Sequence, residues 1–233
     1  MITPAFIVER QAAALARAQR HWQEEHEQPD KARGTGRAWT IALTREAGAR
    51  GALVAQEIGR RMNWPVYDRE LVERIAREMG LRTSLLESVD ERHKSWLLEG
   101  LEGLTIAGPV TETKFVKHLA ETVLSLSALG HCVIVGRGAA HLLPMESTLR
   151  VRLVGPKDDR VQATMAQLHL AADQALAWVE QTDRDRARFV KDHFGKDPSD
   201  PSHYDLVLNS TRWTTEECAD LIIAALKKLP VPK

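Results

Sequence analysis

Four clusters in this chain combine residue types and spacings that could bind and move phosphate. The first, Arg45-Glu-Ala-Gly48-Ala49-Arg50-Gly51-Ala52-Leu53, follows the apolar run Ile41–Thr44 and opens a helical pattern. A strand that turns through glycines into a helix aims backbone N–H groups and a helix dipole at an anion. Against the usual phosphate-loop pattern, Gly51 stands where the lysine would be, and Leu53, two positions further on, stands where a magnesium-holding hydroxyl would sit. Arg45 and Arg50 keep positive charge beside that gap, and arginine suits bidentate phosphate contacts with a reach unlike lysine's. Taken alone, the loop reads equally as a tight turn with two solvated arginines.

The second cluster is Tyr67-Asp68-Arg69 at a strand end, where Asp68 suits a helix N-cap and, compatibly, a ligand contact. The third is Val135-Gly136-Arg137-Gly138, where flanking glycines allow close approach and leave Arg137 free to act as an anion clamp. The fourth is Thr182-Asp-Arg184-Asp185-Arg-Ala-Arg188. Arg184 and Arg188 are four residues apart on a helix and repel each other unless an anion lies between them. Gly195, Pro198 and Pro201 then form the flexible exit of a lid.

The elements needed to position these clusters alternate. Strands are expected at Ile41–Thr44, Val66-Tyr67, Cys132–Val135, Leu149–Val154 and Leu206–Leu208. The helix after the first strand carries Val54, Ile58 and Met62 and ends at Asn63-Trp64-Pro65. The next carries Leu71, Ile75 and Met79, and Ser84-x-x-Glu87 reads as a capping-box start. Residues 81–129 are mostly helical with a break around Gly100–Pro109, and helices follow at Lys157–Leu168, from Ala172 to about Lys191 and after Thr214-x-x-Glu217. Apolar strands separated by helices give an α/β, three-layer parallel sheet, and ligands bind such sheets at the strands' carboxyl ends. Residues 1–37 form a helical extension, Pro4–Glu27, with a linker. Residues 38–230 form the domain, including a helical insertion at about 80–129 and a lid at about 181–201. The extension is read as a solvated helix, with packing on a second subunit as the alternative.

Lys plus Arg number 32 and Asp plus Glu 32, so no whole-protein basic field favours nucleic acid. Cys132 and Cys218 lie in apolar runs and read as reduced and buried, and nine scattered histidines show no ligand spacing, so no resident metal is expected. No stretch reaches the roughly 18 apolar residues a membrane span needs. Glu9, Arg10 and Arg17 interrupt any signal-peptide core, so the expected location is cytoplasmic.

In order, Thr44-Arg-Glu-x-Gly48-x-x-Gly51, Pro65-Val-Tyr-Asp-Arg-Glu-Leu71, Val133-Ile-Val-Gly-Arg-Gly138, Thr182-Asp-Arg-x-Arg-Ala187 and Tyr204-Asp-Leu-Val-Leu-Asn-Ser210 resemble the cytidylate kinase-like family over about Trp39–Lys228. The resemblance implies a P-loop nucleoside monophosphate kinase fold, with an insertion that closes on the acceptor and an arginine lid. It places ATP phosphates on Gly48 to Ala52, assisted by Arg45 and Arg50, and the donor base near Arg160. The acceptor, CMP or dCMP, falls on Asp68, Arg137 and Asp185. Arg50, Arg184 and Arg188 become the charge-neutralising catalytic groups, and Mg2+ is held by ATP oxygens and water. Gly138 replaces the aspartate of the family's Gly-Arg-Asp motif. The alternative is a non-catalytic nucleotide-binding or dimerising module of the same fold.

Overall fold

The computed structural model describes residues 4–27, 38–87, 89 and 110–230. The expected linker at 28–37 and the Gly100–Pro109 break lie outside the described residues. Five strands, β1 (Thr40–Arg45), β2 (Val66–Tyr67), β3 (Cys132–Val135), β4 (Thr148–Val154) and β5 (Leu206–Asn209), form one sheet in the order β2-β3-β1-β4-β5. Every pairing is parallel. Leu43 faces Val135 on one side of β1 and Arg45 faces Leu153 on the other, so the loops leaving β1, β3 and β4 emerge side by side.

Helices cover both faces because both faces of the strands are apolar. Ile41 and Leu43 point to one side with Val133, Val135 and Leu149, and there meet α2 (Gly51–Met62) and α9 (Thr215–Lys228). Ala42 and Ile134 point to the other, against α1 (Pro4–Glu27), α3 (Arg69–Arg77), α4 (Met79–Glu87), α5 (Val110–Leu129) and α6 (Ala139–Leu142). Beyond β4 come α7 (Lys157–Leu168) and α8 (Ala172–Phe194). Local chemistry sets the ends. Asn63 closes α2 in the left-handed region two residues before Pro65, and Thr214 caps α9 by accepting from the Glu217 N–H.

Three expectations change. Ser84 lies inside α4 and starts no helix. Met79 is 73% exposed rather than packed, because α3 ends at Arg77 and the extended Glu78 redirects the chain. The N-terminal helix is no solvated arm. Ala18 and Trp22 are buried in the same cluster as Leu71 and Ile75, and the Trp22 indole N–H donates to the buried Tyr67 hydroxyl at 3.0 Å. Its apolar stripe is thus consumed within its own chain.

Candidate phosphate-binding site

The site starts where β1 ends. Gly48 (φ 79°) and Arg50 (φ 52°) turn the chain into α2, which begins at Gly51. Ala49 donates to the Glu46 carbonyl at 3.2 Å, whereas among the described residues nothing accepts from the N–H groups of Gly48, Arg50, Gly51 and Ala52. Four unsatisfied donors at a helix N-terminus form an anion cradle. Gly48 is obligatory, since a Cβ there would lie 2.3 Å from the Arg160 carbonyl oxygen.

Arg160 holds this loop from beneath. Its Nη1 donates to the Ala47 carbonyl at 2.9 Å and to Asp183 at 2.7 Å, its Nε donates to the Gly155 carbonyl at 2.9 Å, and Glu46 lies 3.2 Å away. Asp183 also accepts the Ala47 N–H at 2.7 Å. With its Nε and Nη1 engaged and its side chain buried, Arg160 braces the loop from beneath. Arg50 is likewise committed. Its guanidinium donates to the carbonyls of Ser210 and Trp213, and Ser210 Oγ donates to the Ala49 carbonyl at 2.9 Å. Arg50 therefore ties the loop to the turn after β5 and points away from the cradle, which removes it from the catalytic groups.

Arg45 runs the other way. A Cβ on Gly51 would lie 2.6 Å from Arg45 Cγ, and one on Gly136 would lie 2.6 Å from Arg45 Nη1. Its stem thus fills the space of a side chain at position 51, the lysine position, and its tip reaches the loop after β3. Burial, then the charges of Arg186 and Arg137, pull its pKa down to about 9, so it remains a cation at neutral pH.

That second loop has Gly136, Arg137 and Gly138 all at positive φ. Arg137 Nη1 donates to Glu73 on α3 at 2.8 Å, its guanidinium carbon lies 4.8 Å from the Phe189 ring centroid, and its buried Nε has no partner among the described residues. A Cβ on Gly138 would fall 2.1 Å from the Phe194 ring, so the aspartate of the resembled motif has no room here. Asp68 accepts from the Leu71 N–H at 3.0 Å and caps α3 beside this loop.

α8 crosses both loops as one unbroken helix. Its inner face carries Asp183, Arg186 and Phe189, and Arg186 Nη1 donates to the Arg45 carbonyl at 3.0 Å. Burial lowers the Arg186 pKa, while Asp183 opposes the shift. Arg184, Asp185 and Arg188 lie on the outer face. Arg184 and Asp185 both bond Gln181, and all three are exposed. The lid arginine facing the site is Arg186, a residue the spacing argument passed over. The signal was present: the apolar Val179 and Val190, eleven residues apart, define an inner stripe that includes 183 and 186.

The residues do not fit a protein-held magnesium. Leu53 offers no oxygen, Glu46 and Asp183 are engaged by Arg160, and among the described residues no group of three metal-ligating side chains occurs. Nor is any helix among them long and apolar enough to cross a membrane.

A parallel sheet in this order, with a glycine turn opening a helix after the central strand and an arginine-bearing helix over the strand ends, defines a P-loop kinase-like α/β protein. Residues 40–212 match the model of the cytidylate kinase-like family, and the chain belongs to that family. It is 27% identical over 109 residues to a cytidylate kinase of Methanopyrus kandleri, covering 43% of this chain and 56% of that one. It is 30% identical over 83 residues to a cytidylate kinase of Sulfolobus acidocaldarius, covering 35% and 45%. The chain thus spans about half the length of these curated relatives. Among solved structures, an uncharacterized protein from Eubacterium ventriosum shares the fold at a TM-score of 0.64 and 20% identity, covering 82% of this chain and 99% of that one.

Proposed function

We propose that this protein transfers the γ-phosphoryl group of ATP to a nucleoside monophosphate, with CMP or dCMP as the acceptor. The observation that carries the reading is the open cradle of N–H groups at the start of α2, set beside the Arg137 loop at the same end of the sheet. Phosphoryl transfer requires positioning and charge neutralisation rather than a covalent protein intermediate, and these groups supply both. The cradle seats the donor phosphates, Arg137 exchanges Glu73 for the acceptor phosphate, and Arg186 brings positive charge from the lid side. Magnesium would arrive as part of the ATP substrate, because no group of three metal-ligating side chains occurs among the described residues.

Loss of the lysine and the hydroxyl supports a second reading, nucleotide binding without turnover. A coupled assay with ATP, magnesium and a panel of CMP, dCMP, UMP, AMP and GMP separates the two. ADP release dependent on CMP or dCMP is the expected result. Tight ATP binding with no acceptor-dependent release would establish the second reading.

A further inference from the structure

We propose that Arg45 replaces the absent lysine of the phosphate loop, and that its guanidinium contacts the phosphoryl group in transit between the two loops. The inference rests on the kinase reading above and assigns the reaction a catalytic residue. Geometry carries it. The Arg45 stem lies across Gly51, at 2.6 Å from where a Cβ would stand, and its tip abuts Gly136 at the same distance. Two glycines on two different loops therefore form the trough that holds one arginine. Gly51 is no degenerate remnant under this arrangement, because a lysine at that position would collide with the residue that replaces it.

The location matches the role. One end of the side chain touches the donor cradle, and the other reaches the loop carrying Arg137. Among the described residues the guanidinium has no hydrogen-bond or ion-pair partner. Glu70 acts on it only at longer range, and Arg69, Arg137 and Arg186 repel it. Holding an unpaired cation in a partly buried trough opposes folding. Arg50 and Arg160, the other arginines of this loop, are both satisfied by carbonyls or carboxylates. Arg45 alone of the three is left for an anion to complete. In the transfer, an acceptor phosphate oxygen forms the new bond to the γ-phosphorus. The bond from that phosphorus to the bridging oxygen breaks, and its electron pair leaves on the nucleoside diphosphate. Arg45 donates hydrogen bonds to the transferred group's oxygens and neither gains nor loses a proton.

The test compares the wild type, R45M, R45K, G136A and the outer-face control R184M in metal-free titrations with tripolyphosphate, in melting temperature without ligand and in turnover. R45M should weaken tripolyphosphate binding by about tenfold or more, as loss of a charge-assisted contact does. R45K should fall between, and R184M should match the wild type. G136A keeps the charge but displaces it, and should also bind weakly. Without ligand R45M should melt at or above the wild-type temperature, since an unpaired cation has been removed. Turnover of R45M should fall by about a thousandfold, with partial recovery in R45K. Wild-type-like tripolyphosphate binding by R45M, no binding by the wild type, a lowered ligand-free melting temperature in R45M, or turnover retained in R45M would each overturn the assignment. If Arg45-dependent binding appears but no monophosphate is phosphorylated, the kinase reading fails while the anion contact stands.

Discussion

At the scale of single residues, the arginines around the first loop divide by what satisfies them. Arg160 is buried and bridges Glu46, Asp183 and two backbone carbonyls. Replacing it with methionine leaves Asp183 only the Ala47 N–H and Glu46 only the Gly155 N–H and Arg152, and losing such charge-assisted bonds costs about 1.5–3 kcal/mol. R160M should therefore show a large drop in urea midpoint, and a near-wild-type midpoint would show that the network is slack. The lid arginines divide by helical phase. R186A should weaken tripolyphosphate binding, whereas R184A and R188A should alter neither binding nor stability beyond about 0.5 kcal/mol, the usual range for exposed positions. Equal losses from all three would mean that the inner and outer faces of α8 are not distinct in solution. The cation cluster was legible in the sequence, since Arg45, Arg137 and an arginine-rich helix stood out by type. Their partners were not, because Arg50's carbonyls and Arg160's carboxylates come from segments as far as 163 residues away along the chain.

At the scale of elements, period and capping chemistry located every strand and most helices, since apolar runs bounded by Pro, Gly and capping residues leave few alternatives. Two features escaped. Charge spacing alone gives the wrong phase for α8, because the apolar Val179 and Val190 fix which side faces inward. The role of α1 escaped because its stripe is weak in sequence and depends on one large residue, Trp22, finding Tyr67. Trp22→Ala should destabilise the protein by about 3–5 kcal/mol, the range for removing a buried large aromatic side chain. A chemical denaturation curve would measure it, and a change below about 1 kcal/mol would return α1 to the status of an appendage. The junction of α6, α8 and the turn before β5 holds a further element-level term. His141 packs against Phe194, His203 and Tyr204, and its buried Nε2 has no partner among the described residues. Burial, followed by the charge of His203, pulls its pKa down from 6.5 to about 4. Between those values the unfolded chain takes up a proton that the folded form refuses, so stability falls as pH drops from 6.5 toward 4. H141F keeps an aromatic ring and should flatten that part of the stability–pH curve; an unchanged slope would place the titration elsewhere.

At the scale of the whole molecule, the parallel sheet makes a site by bringing loops from β1, β3 and β4 to one edge, and α8 determines access to it. The family resemblance implies a lid, and charge repulsion suggests a loose one. The structure instead shows one continuous helix packed against both loops. Asp183 accepts from Ala47 N–H, Arg186 donates to the Arg45 carbonyl, Phe189 lies over Arg137 and Phe194 covers Gly138. These contacts join the helix to both candidate loops, so an anion bound at one would be felt at the other through α8. The Asp183 contact also sets a carboxylate against the loop's own N–H, close to where phosphate charge would arrive. Hydrogen exchange across 181–194 should accordingly be slow in the free protein, with amides of the inner stripe protected well beyond those of an exposed helix. Adding tripolyphosphate should change that protection in the helix and in residues 136–138 together, because one rigid element spans them. A helix that exchanges quickly when free and slows only with nucleotide would show that docking is driven by ligand. In that case Arg186 would reach the site by closure, and the four contacts would describe the end of the motion rather than its start.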